Sequence, residues 1–340
     1  MIGRTIILDH FNGREAAALM VDGKLEDLLI ASDAPAPGTI YRAIADRPVK
    51  GQGGMFLKTP DGNAFLRQIK GMALGDELLV QVTGYAEDGK AIPVQHRVLF
   101  KSRYVIVTPN APGINVSRSI RDEDRREEIL AVVHDTVENV PHGIILRSSC
   151  ENADAEDIAE DLLSMLTLTD QVLTDEGTGA EMLIEGDAPH LLAWRDWVEP
   201  ADVITEDGGF ETHGVMDAIE ALESPRLELA GGAYAYVEPT RALIAVDVNT
   251  GNDTSMTAGT KANFALAKAL PRDLRVRGLG GQIVLDLAPM SKKDRRGFES
   301  ALKAALRNDT IETVFVGWTP LGHVELQRKR ARLPLTELLK

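Results

Sequence analysis

The sequence predicts a mixed α/β protein that combines a small closed β-barrel with a partly parallel sheet flanked by helices. Short alternating strands with turn residues about every 8–12 positions indicate the barrel. Strands that alternate with helical patterns in the last third indicate the sheet. With 340 residues, the chain is long enough for one large domain or two to three ordinary ones.

The amino-terminal part of the chain is dominated by strands and turns. Residues 5–32 alternate like paired strands, and further short apolar runs follow between residues 38 and 100. The turn sequences that separate these runs are Asn12-Gly13, Asp22-Gly23, Asp61-Gly62-Asn63 and Asp88-Gly89. This pattern favours a barrel, and a generic module of β-hairpins is the alternative that it leaves open.

Helical patterns begin beyond residue 116. Residues 117–136 form a polar stretch that predicts a helix, and GIILRSS predicts a short strand. A second helix is predicted over 151–173, with an apolar face at Ile158, Leu162, Leu163 and Leu166. An amphipathic helix is predicted over 211–222. The α/β pattern of the last third is carried by the strands AYAYVEP, RALIAVDVNTG, GGQIVLDL and TVFVGW and the helices around ANFALAKALPRDLRVRG and DRRGFESALKAALRN.

Composition limits the class of protein and of partner. No apolar run is long enough to span a membrane, and a single cysteine, Cys150, excludes an internal disulfide framework and a cysteine-built zinc site. We therefore expect a soluble cytoplasmic protein. The net charge is −15, yet residues 151–230 hold 22 acids against two arginines, whereas residues 291–340 hold 11 Lys and Arg against six acids. Because steering depends on the local field, this basic block is compatible with RNA binding.

Two aspartates stand at the ends of apolar strands. ALIAVDVNTG places Asp247 and Asn249 on one side of a strand end, and GGQIVLDLAP places Asp286 near the end of another. Ligands of open α/β sheets bind at such carboxyl ends. Two carboxylates and an amide oxygen that converge there would suit Mg²⁺. The residues alone leave open the alternative that each aspartate caps a turn or helix.

The sequence around these aspartates resembles the catalytic half of the ribonuclease E/G family. ALIAVDVNTG, LRVRGLGGQIVLDLAPM and LGHVELQRKR are similar to three family motifs. Upstream, GTIYRA and the barrel resemble the family's S1 domain, while YVIVTPN, SRSI and ILRSS resemble its 5′-end sensing domain. The resemblance covers nearly the whole chain.

The resemblance implies four subdomains. These are an RNase H-like region (1–36 and 187–222), an S1-like RNA-binding barrel inserted in it (37–101), a 5′-end sensing subdomain (102–186) and a DNase I-like catalytic subdomain (223–340).

The resemblance also implies a function and a set of site residues. The function is a Mg²⁺-dependent endoribonuclease for single-stranded, AU-rich RNA, with Mn²⁺ as a substitute and no zinc. It would leave a 5′-phosphate and a 3′-hydroxyl and prefer a 5′-monophosphate. Asp247, Asn249 and Asp286 match the catalytic set, with Asp247 and Asp286 on the metal. The implied RNA contacts are Phe65, Lys90, Arg118, Arg328 and Arg330, and the implied 5′-phosphate pocket is Ser102, Ile106, Arg147 and Ser148.

Several of these residues keep a structural alternative. From the residues alone, Phe65 is more typical of a barrel core than of an RNA contact, and the run 327–332 is more typical of a solvated charged face. Arg147 is as typical of a surface arginine, and Arg118 of a solvated arginine at a helix start. The family's S1 domain has a second aromatic residue that contacts RNA. The matching position in this chain is Met55, and Phe56 is the next residue. Sequence alone does not decide which of the two contacts RNA.

Some features depart from the family pattern. The loop GNDTSMTAGT is short, Asn263-Phe264-Ala265-Leu266 lacks the family's acid, and Pro320 stands where the family has a basic residue. The chain stops at LPLTELLK, where longer members continue into a zinc link and a small dimerisation domain. We therefore expect any homo-oligomer to use another surface.

The rival hypotheses are an RNA-binding relative without turnover and a metal-binding module unrelated to RNA decay.

Overall fold

The computed structural model describes residues 3–49, 53–68, 71–139 and 141–339. The chain forms two compact units, one made of Met1–Ser32 with Ala201–Lys340 and the other of Asp33–Pro200. The predicted mixed α/β fold with a small closed barrel is confirmed. The four subdomain boundaries are finer than this division and stay a prediction.

The first unit starts with an antiparallel meander. Its strands are β1 (Arg4–Phe11), β2 (Arg14–Val21) and β3 (Lys24–Ile30). Both hairpins turn at the predicted dipeptides, where Asn12 and Asp22 have φ of 51° and 49° and the following glycines have φ of 75°. Two successive positive φ values match the right-handed twist of the flanking strands, so these turns fix the register.

The second unit contains the barrel. Its strands are β4 (Ile40–Val49), β5 (Gly54–Thr59), β6 (Gly62–Leu66), β7 (Glu77–Val82) and β8 (Ile92–Gln95). They follow the order β4-β5-β6-β8-β7, and β7 pairs back with β4, which closes the barrel. Alternate residues such as Tyr41, Leu57 and Val80 fill the interior. The hairpin-module alternative is therefore excluded.

The rest of the second unit is a small sheet covered by two helices. The elements are β9 (Phe100–Lys101), β10 (Val105–Thr108), β11 (Gly113–Val116), α1 (Glu123–Thr136), β12 (Gly143–Leu146), α2 (Ala155–Leu173), β13 (Glu181–Ile184) and α3 (Pro189–Asp196). The sheet order is β11-β12-β10-β9, and β13 joins the barrel beside β4. On α2, Ile158, Leu162 and Leu166 are buried, but Leu163 is 49% exposed because it lies one residue off the packed face.

The first unit resumes with a strand and two short helices. These are β14 (Asp202–Ile204), α4 (Gly209–Thr212) and α5 (Val215–Ala221). β14 pairs in parallel with β1. The single helix predicted over 211–222 is wrong, because Gly214 adopts a left-handed φ of 73° and separates α4 from α5.

A six-stranded sheet completes the first unit. The remaining elements are β15 (Arg226–Glu228), β16 (Tyr234–Pro239), β17 (Ile244–Asn249), α6 (Ala258–Val276), β18 (Gly281–Asp286), α7 (Lys292–Asn308), β19 (Thr313–Trp318), β20 (Val324–Arg328) and α8 (Leu335–Leu338). The order is β15-β16-β17-β18-β20-β19, and β17 and β18 pair in parallel. α6 and α7 bury one face of this sheet, with Leu266, Phe298 and Ile283 in the core. No helix among the described residues combines the length and apolar character needed to cross a bilayer.

Candidate functional site

Asp247 and Asp286 lie opposite each other on the two parallel strands β17 and β18. In β17, Val246 and Val248 are buried and Asp247 is exposed. In β18, Leu285 is buried, whereas 66% of the Asp286 side chain is exposed. Register partners on neighbouring strands point to the same face and are about 4.8 Å apart. The two carboxylates therefore project side by side from the face opposite α6 and α7.

The third predicted residue, Asn249, lies two positions beyond Asp247 on the same face. Its amide Nδ2 donates a hydrogen bond to Oδ2 of Asp247 at 3.0 Å. The structure thus brings together the three residues of the predicted catalytic set. Asn249 contacts Asp247 through its nitrogen, whereas the sequence suggested that its amide oxygen would join the two carboxylates.

Helix α6 fixes the point at which β18 ends. The buried Asn263 amide donates to the carbonyl of Ala288 at 2.8 Å and accepts from its N–H at 3.0 Å. Gly259, on the same helix, permits a close approach, since a Cβ there would lie 2.0 Å from the carbonyl oxygen of Pro289. Both contacts hold the segment directly after Asp286, so they position its carboxylate.

The paired carboxylates fit a hard divalent cation. Mg²⁺ is commonly held by one or two carboxylates, with waters and substrate phosphates as its other ligands. Asp247 and Asp286 provide two such carboxylates on an exposed face. Within the described ranges, no group of three or more His, Cys, Asp and Glu side chains is arranged to hold an ion.

His323 adjoins the pair and was not predicted. Its Nδ1 lies 3.2 Å from Oδ1 of Asp286, because the antiparallel pairing of β18 with β20 brings the start of β20 beside the end of β18. The feature of the sequence that could have indicated His323 is its place directly before the alternating apolar residues of VELQR. That signal does not reveal which strand β20 joins.

Two tyrosines on β16 also face the site. Tyr236 pairs with Asp247 and Tyr234 with Asn249. The two rings meet edge to face with centroids 5.7 Å apart, and the Arg226 guanidinium lies 3.9 Å from the centroid of Tyr234. The alternating AYAYV could have indicated them, because both tyrosines fall on the face of a half-buried strand. Aromatic rings of this kind can stack on unpaired bases.

Arg328 does not face solvent, which corrects the prediction that it contacts RNA. Its side chain is fully buried, and Nη1 donates to Oδ2 of Asp309 at 2.6 Å and to Oγ1 of Thr313 at 2.7 Å. Arg330 is half-buried and donates through Nη1 to the carbonyl of Gly280. The end of β20 alternates between buried and exposed residues, so this basic run is not a uniformly solvated face.

In the barrel, Phe65 has Phe56 as its aromatic neighbour. The two residues are register partners on β5 and β6 with ring centroids 5.2 Å apart, and both are half-exposed. Met55 is buried in the barrel core, so Phe56 occupies the outward position. Phe65 is likewise not a core residue. Gly54 makes room for this ring, because a Cβ there would lie within 2.4 Å of it.

The two predicted basic contacts outside the catalytic sheet are exposed. Lys90 lies in the loop before β8, where its ammonium pairs with Glu87 at 2.6 Å. Arg118 lies between β11 and α1. Both side chains are therefore positioned at the surface of the second unit.

Arg147 is bound by a carboxylate of the protein itself. Its Nη2 lies 2.7 Å from Oδ1 of Asp196, and its Nη1 donates to main-chain carbonyls that include that of Arg103 at 3.1 Å. Lys101 and Arg195 also contact Asp196, at 2.7 and 2.8 Å. Burial by itself would raise the pKa of Asp196, but the hydrogen bond and charge of Arg195, together with Lys101, hold that pKa far below its ordinary value. Asp196 is therefore an ionised carboxylate inside a cationic cluster.

The other predicted pocket residues do not share one environment. Ser102 is buried and its hydroxyl donates to Asp161 at 2.5 Å, while Ile106 is half-buried on β10. Ser148 is exposed and lines a cavity of about 350 Å³. Arg103, Tyr104, Ser149, Asn152 and Glu199 are among the other lining residues. Of the four predicted residues, Ser148 is the one that contributes to this cavity's wall.

Comparison with known proteins identifies the family. The model of the ribonuclease E/G family matches residues 100–201 and 198–331. The alignment with ribonuclease G of Salmonella typhimurium is 309 positions long at 28% identity and covers 78% of this chain and 62% of that protein. The alignment with ribonuclease E of a Nostoc species is 386 positions long at 24% identity and covers 95% of this chain and 56% of that protein. The alignment with ribonuclease G of Escherichia coli K12 is 309 positions long at 26% identity and covers 78% of this chain and 62% of that protein.

The chain thus spans little more than half the length of the curated relatives it matches. The family match covers most of the chain and includes β17 and β18, which carry the paired aspartates. The chain belongs to the ribonuclease E/G family.

Proposed function

We propose that the chain is a Mg²⁺-dependent endoribonuclease that cleaves single-stranded, AU-rich RNA in the cytoplasm. The observation that carries this proposal is the in-register pair Asp247 and Asp286 on the open face of the last sheet. Membership of a family whose relatives are named ribonucleases E and G supports it. Mn²⁺ would replace Mg²⁺, since both accept carboxylate and water ligands.

The reaction assigns a separate task to each residue. Asp247 and Asp286 would hold the ion, and Asn249 holds Asp247 in place through its amide hydrogen bond. When bound, Mg²⁺ would activate a water and stabilise charge on the phosphate oxygens. Water would form a new bond to phosphorus and the P–O3′ bond would break, so the water oxygen stays on the 5′-phosphate and O3′ leaves as the 3′-hydroxyl. The RNA 2′-hydroxyl is not the nucleophile. The barrel pair Phe56 and Phe65 would stack on unpaired bases of the RNA.

The test is cleavage of a single-stranded, AU-rich oligonucleotide in Mg²⁺, in Mn²⁺ and in EDTA. We expect cutting in the first two conditions and none in EDTA, with products that carry 5′-phosphates. Binding of the oligonucleotide without cleavage in either metal would contradict the proposal and favour the RNA-binding relative without turnover. Cleavage that is unchanged in EDTA would contradict the metal requirement.

We also propose that the cluster around Arg147 recognises a 5′-monophosphate once Arg147 leaves Asp196. Arg147→Ala is then expected to bring the ratio of cleavage rates for 5′-monophosphate and 5′-hydroxyl substrates close to one. Asp196→Asn is expected to raise that ratio several-fold, because it removes the internal anion that competes for the guanidinium. Asp187→Asn is the matched control and should leave the ratio unchanged, because Asp187 pairs with Arg195 and not with Arg147. An equal ratio for the parent and Arg147→Ala would contradict this pocket assignment.

A further inference from the structure

His323 forms the end of a row of side chains across three neighbouring strands. Asp247 on β17 is paired with Asp286 on β18, and the antiparallel pairing of β18 with β20 runs up to Leu285 and Val324. The next position outward brings His323 beside Asp286, with Nδ1 3.2 Å from Oδ1. Asp286 therefore lies between Asp247 on one side and an imidazole on the other.

The hairpin that carries His323 is well defined. The Thr319 N–H donates to the His323 carbonyl at 2.9 Å, and the His323 N–H donates to Oγ1 of Thr319 at 3.1 Å. Gly322 takes a φ of +93°, which favours glycine. Because the turn fixes the backbone on both sides of the ring, the imidazole is directed at Asp286 by the fold.

The Nδ1 atom of His323 is buried and lacks a hydrogen bond. It lies 3.2 Å from Oδ1 of Asp286, yet no hydrogen bond joins the two, and no other atom of the described residues serves as its partner. A buried polar nitrogen without a partner is unfavourable. A small rotation of the Asp286 carboxylate or of the ring would provide the missing acceptor. The carboxylate orientation that satisfies His323 is thus preferred over others.

Asp247, the other carboxylate of the pair, already accepts a hydrogen bond from a neighbouring side-chain nitrogen. Asn249 Nδ2 donates to Oδ2 of Asp247 at 3.0 Å. Asn249 is thus the nitrogen donor that orients Asp247, and His323 lies where its Nδ1 can donate in the same way to Asp286. Residues that hydrogen-bond a metal-binding carboxylate restrict its orientation, and their loss typically weakens metal binding by about 10- to 100-fold.

We propose that His323 is a positioning residue for the metal site, and that its ring donates from Nδ1 to Asp286. This inference rests on the proposed function, because it assigns the residue to the same pair of carboxylates. His323 acts through Asp286 and is not itself a ligand. Its neighbour in the row is Asp286, with Asp247 one strand further away, and the described residues contain no three-residue His and acid cluster arranged around a common ion.

The test measures Mn²⁺ affinity at one fixed pH, in protein without RNA. Free Mn²⁺ is followed by electron paramagnetic resonance for the parent, His323→Leu and His323→Asn. We expect His323→Leu to weaken binding by about 10- to 100-fold. His323→Asn should restore most of the affinity, because an asparagine Nδ2 can occupy nearly the position of Nδ1. His96→Leu, at an exposed histidine of the other unit, is the matched control and should leave the affinity unchanged.

The outcomes separate this inference from the nuclease proposal. If the parent binds Mn²⁺ and His323→Leu weakens that binding, the inference stands even when no RNA is cleaved. If Asp286→Asn loses Mn²⁺ but His323→Leu binds within twofold of the parent, the inference is wrong while the metal site remains. A parent that binds no Mn²⁺ overturns both.

Spin-echo spectroscopy of the Mn²⁺-loaded parent distinguishes positioning from direct ligation. We expect no coupling to a directly bonded histidine nitrogen. A strong nitrogen coupling that disappears in His323→Leu would overturn the positioning role, because it would make His323 a ligand.

Discussion

Asp247→Asn and Asp286→Asn are each expected to lower the rate of Mg²⁺-dependent RNA cleavage by about 100- to 1,000-fold. Each removes one of the two carboxylates that hold the ion, and metal stabilisation of a phosphoryl transition state is worth several kcal/mol. Each 1.36 kcal/mol corresponds to a tenfold change in rate. Both side chains are exposed, and asparagine keeps their size, so we expect the sheet to remain folded.

Glu238→Gln is the matched control for this pair. Glu238 is an exposed acid on β16, on the same face as Tyr236, but its register partner is Ala245. We expect it to cleave at the parent rate. Circular dichroism and thermal unfolding of all three variants establish that they fold. Parent-like cleavage by both folded aspartate variants would show that the pair does not hold the ion.

Arg328→Met is expected to lower the free energy of unfolding by about 1.5–3 kcal/mol. Hydrogen bonds to charged groups contribute about 1.5–3 kcal/mol each, and this change removes the fully buried pair of Arg328 with Asp309. The loss stays below the roughly 3–5 kcal/mol of an unpaired buried charge, because Arg275 still contacts Asp309. Methionine keeps the length of the side chain, so the lost pair dominates over lost packing.

Urea unfolding followed by tryptophan fluorescence measures this change. Lys329→Met, at the exposed neighbouring position, is the control and should change stability by less than about 0.5 kcal/mol. A folded Arg328→Met protein with parent-like stability and weakened RNA binding would contradict the structural role and restore the original RNA-contact prediction.

The paired aspartates could be predicted because the signal is local. Asp247 and Asp286 each end an apolar strand, and strands that alternate with helices bring their carboxyl ends to one edge. The parallel register of β17 and β18 then makes the two residues direct neighbours. Asn249 follows from the period of two along the same strand.

The residues that sequence reasoning missed depend on tertiary pairing. His323 meets Asp286 because β20 inserts between β18 and β19, and strand order of this kind is not encoded in a local pattern. The basic run around Arg328 predicts an RNA contact, yet the partner of Arg328 is Asp309, which lies 19 residues earlier in the chain. Similarly, the contact between Arg147 and Asp196 joins residues 49 positions apart.

Local periodicity also left two structural details undetermined, and the packing of the folded chain decides both. Met55 and Phe56 are adjacent, so a strand must turn one of them inward, and the barrel buries Met55. Over 211–222 the apolar spacing suits one helix, but Gly214 permits a left-handed break at low cost and two short helices form instead. In both cases the sequence pattern predicted the correct type of element, strand or helix. It did not determine which of two adjacent residues faces the core, or where one helix ends and the next begins.

The joint binding of an ion by Asp247 and Asp286 is tested most directly by diffraction from crystals soaked in Mn²⁺, recorded near the manganese absorption edge. We predict an anomalous peak within bonding distance of one carboxylate oxygen from each aspartate, and its loss in crystals of Asp286→Asn. A parent protein that cleaves RNA in Mn²⁺ but shows no peak between these two side chains, or binds the ion elsewhere, would contradict the account.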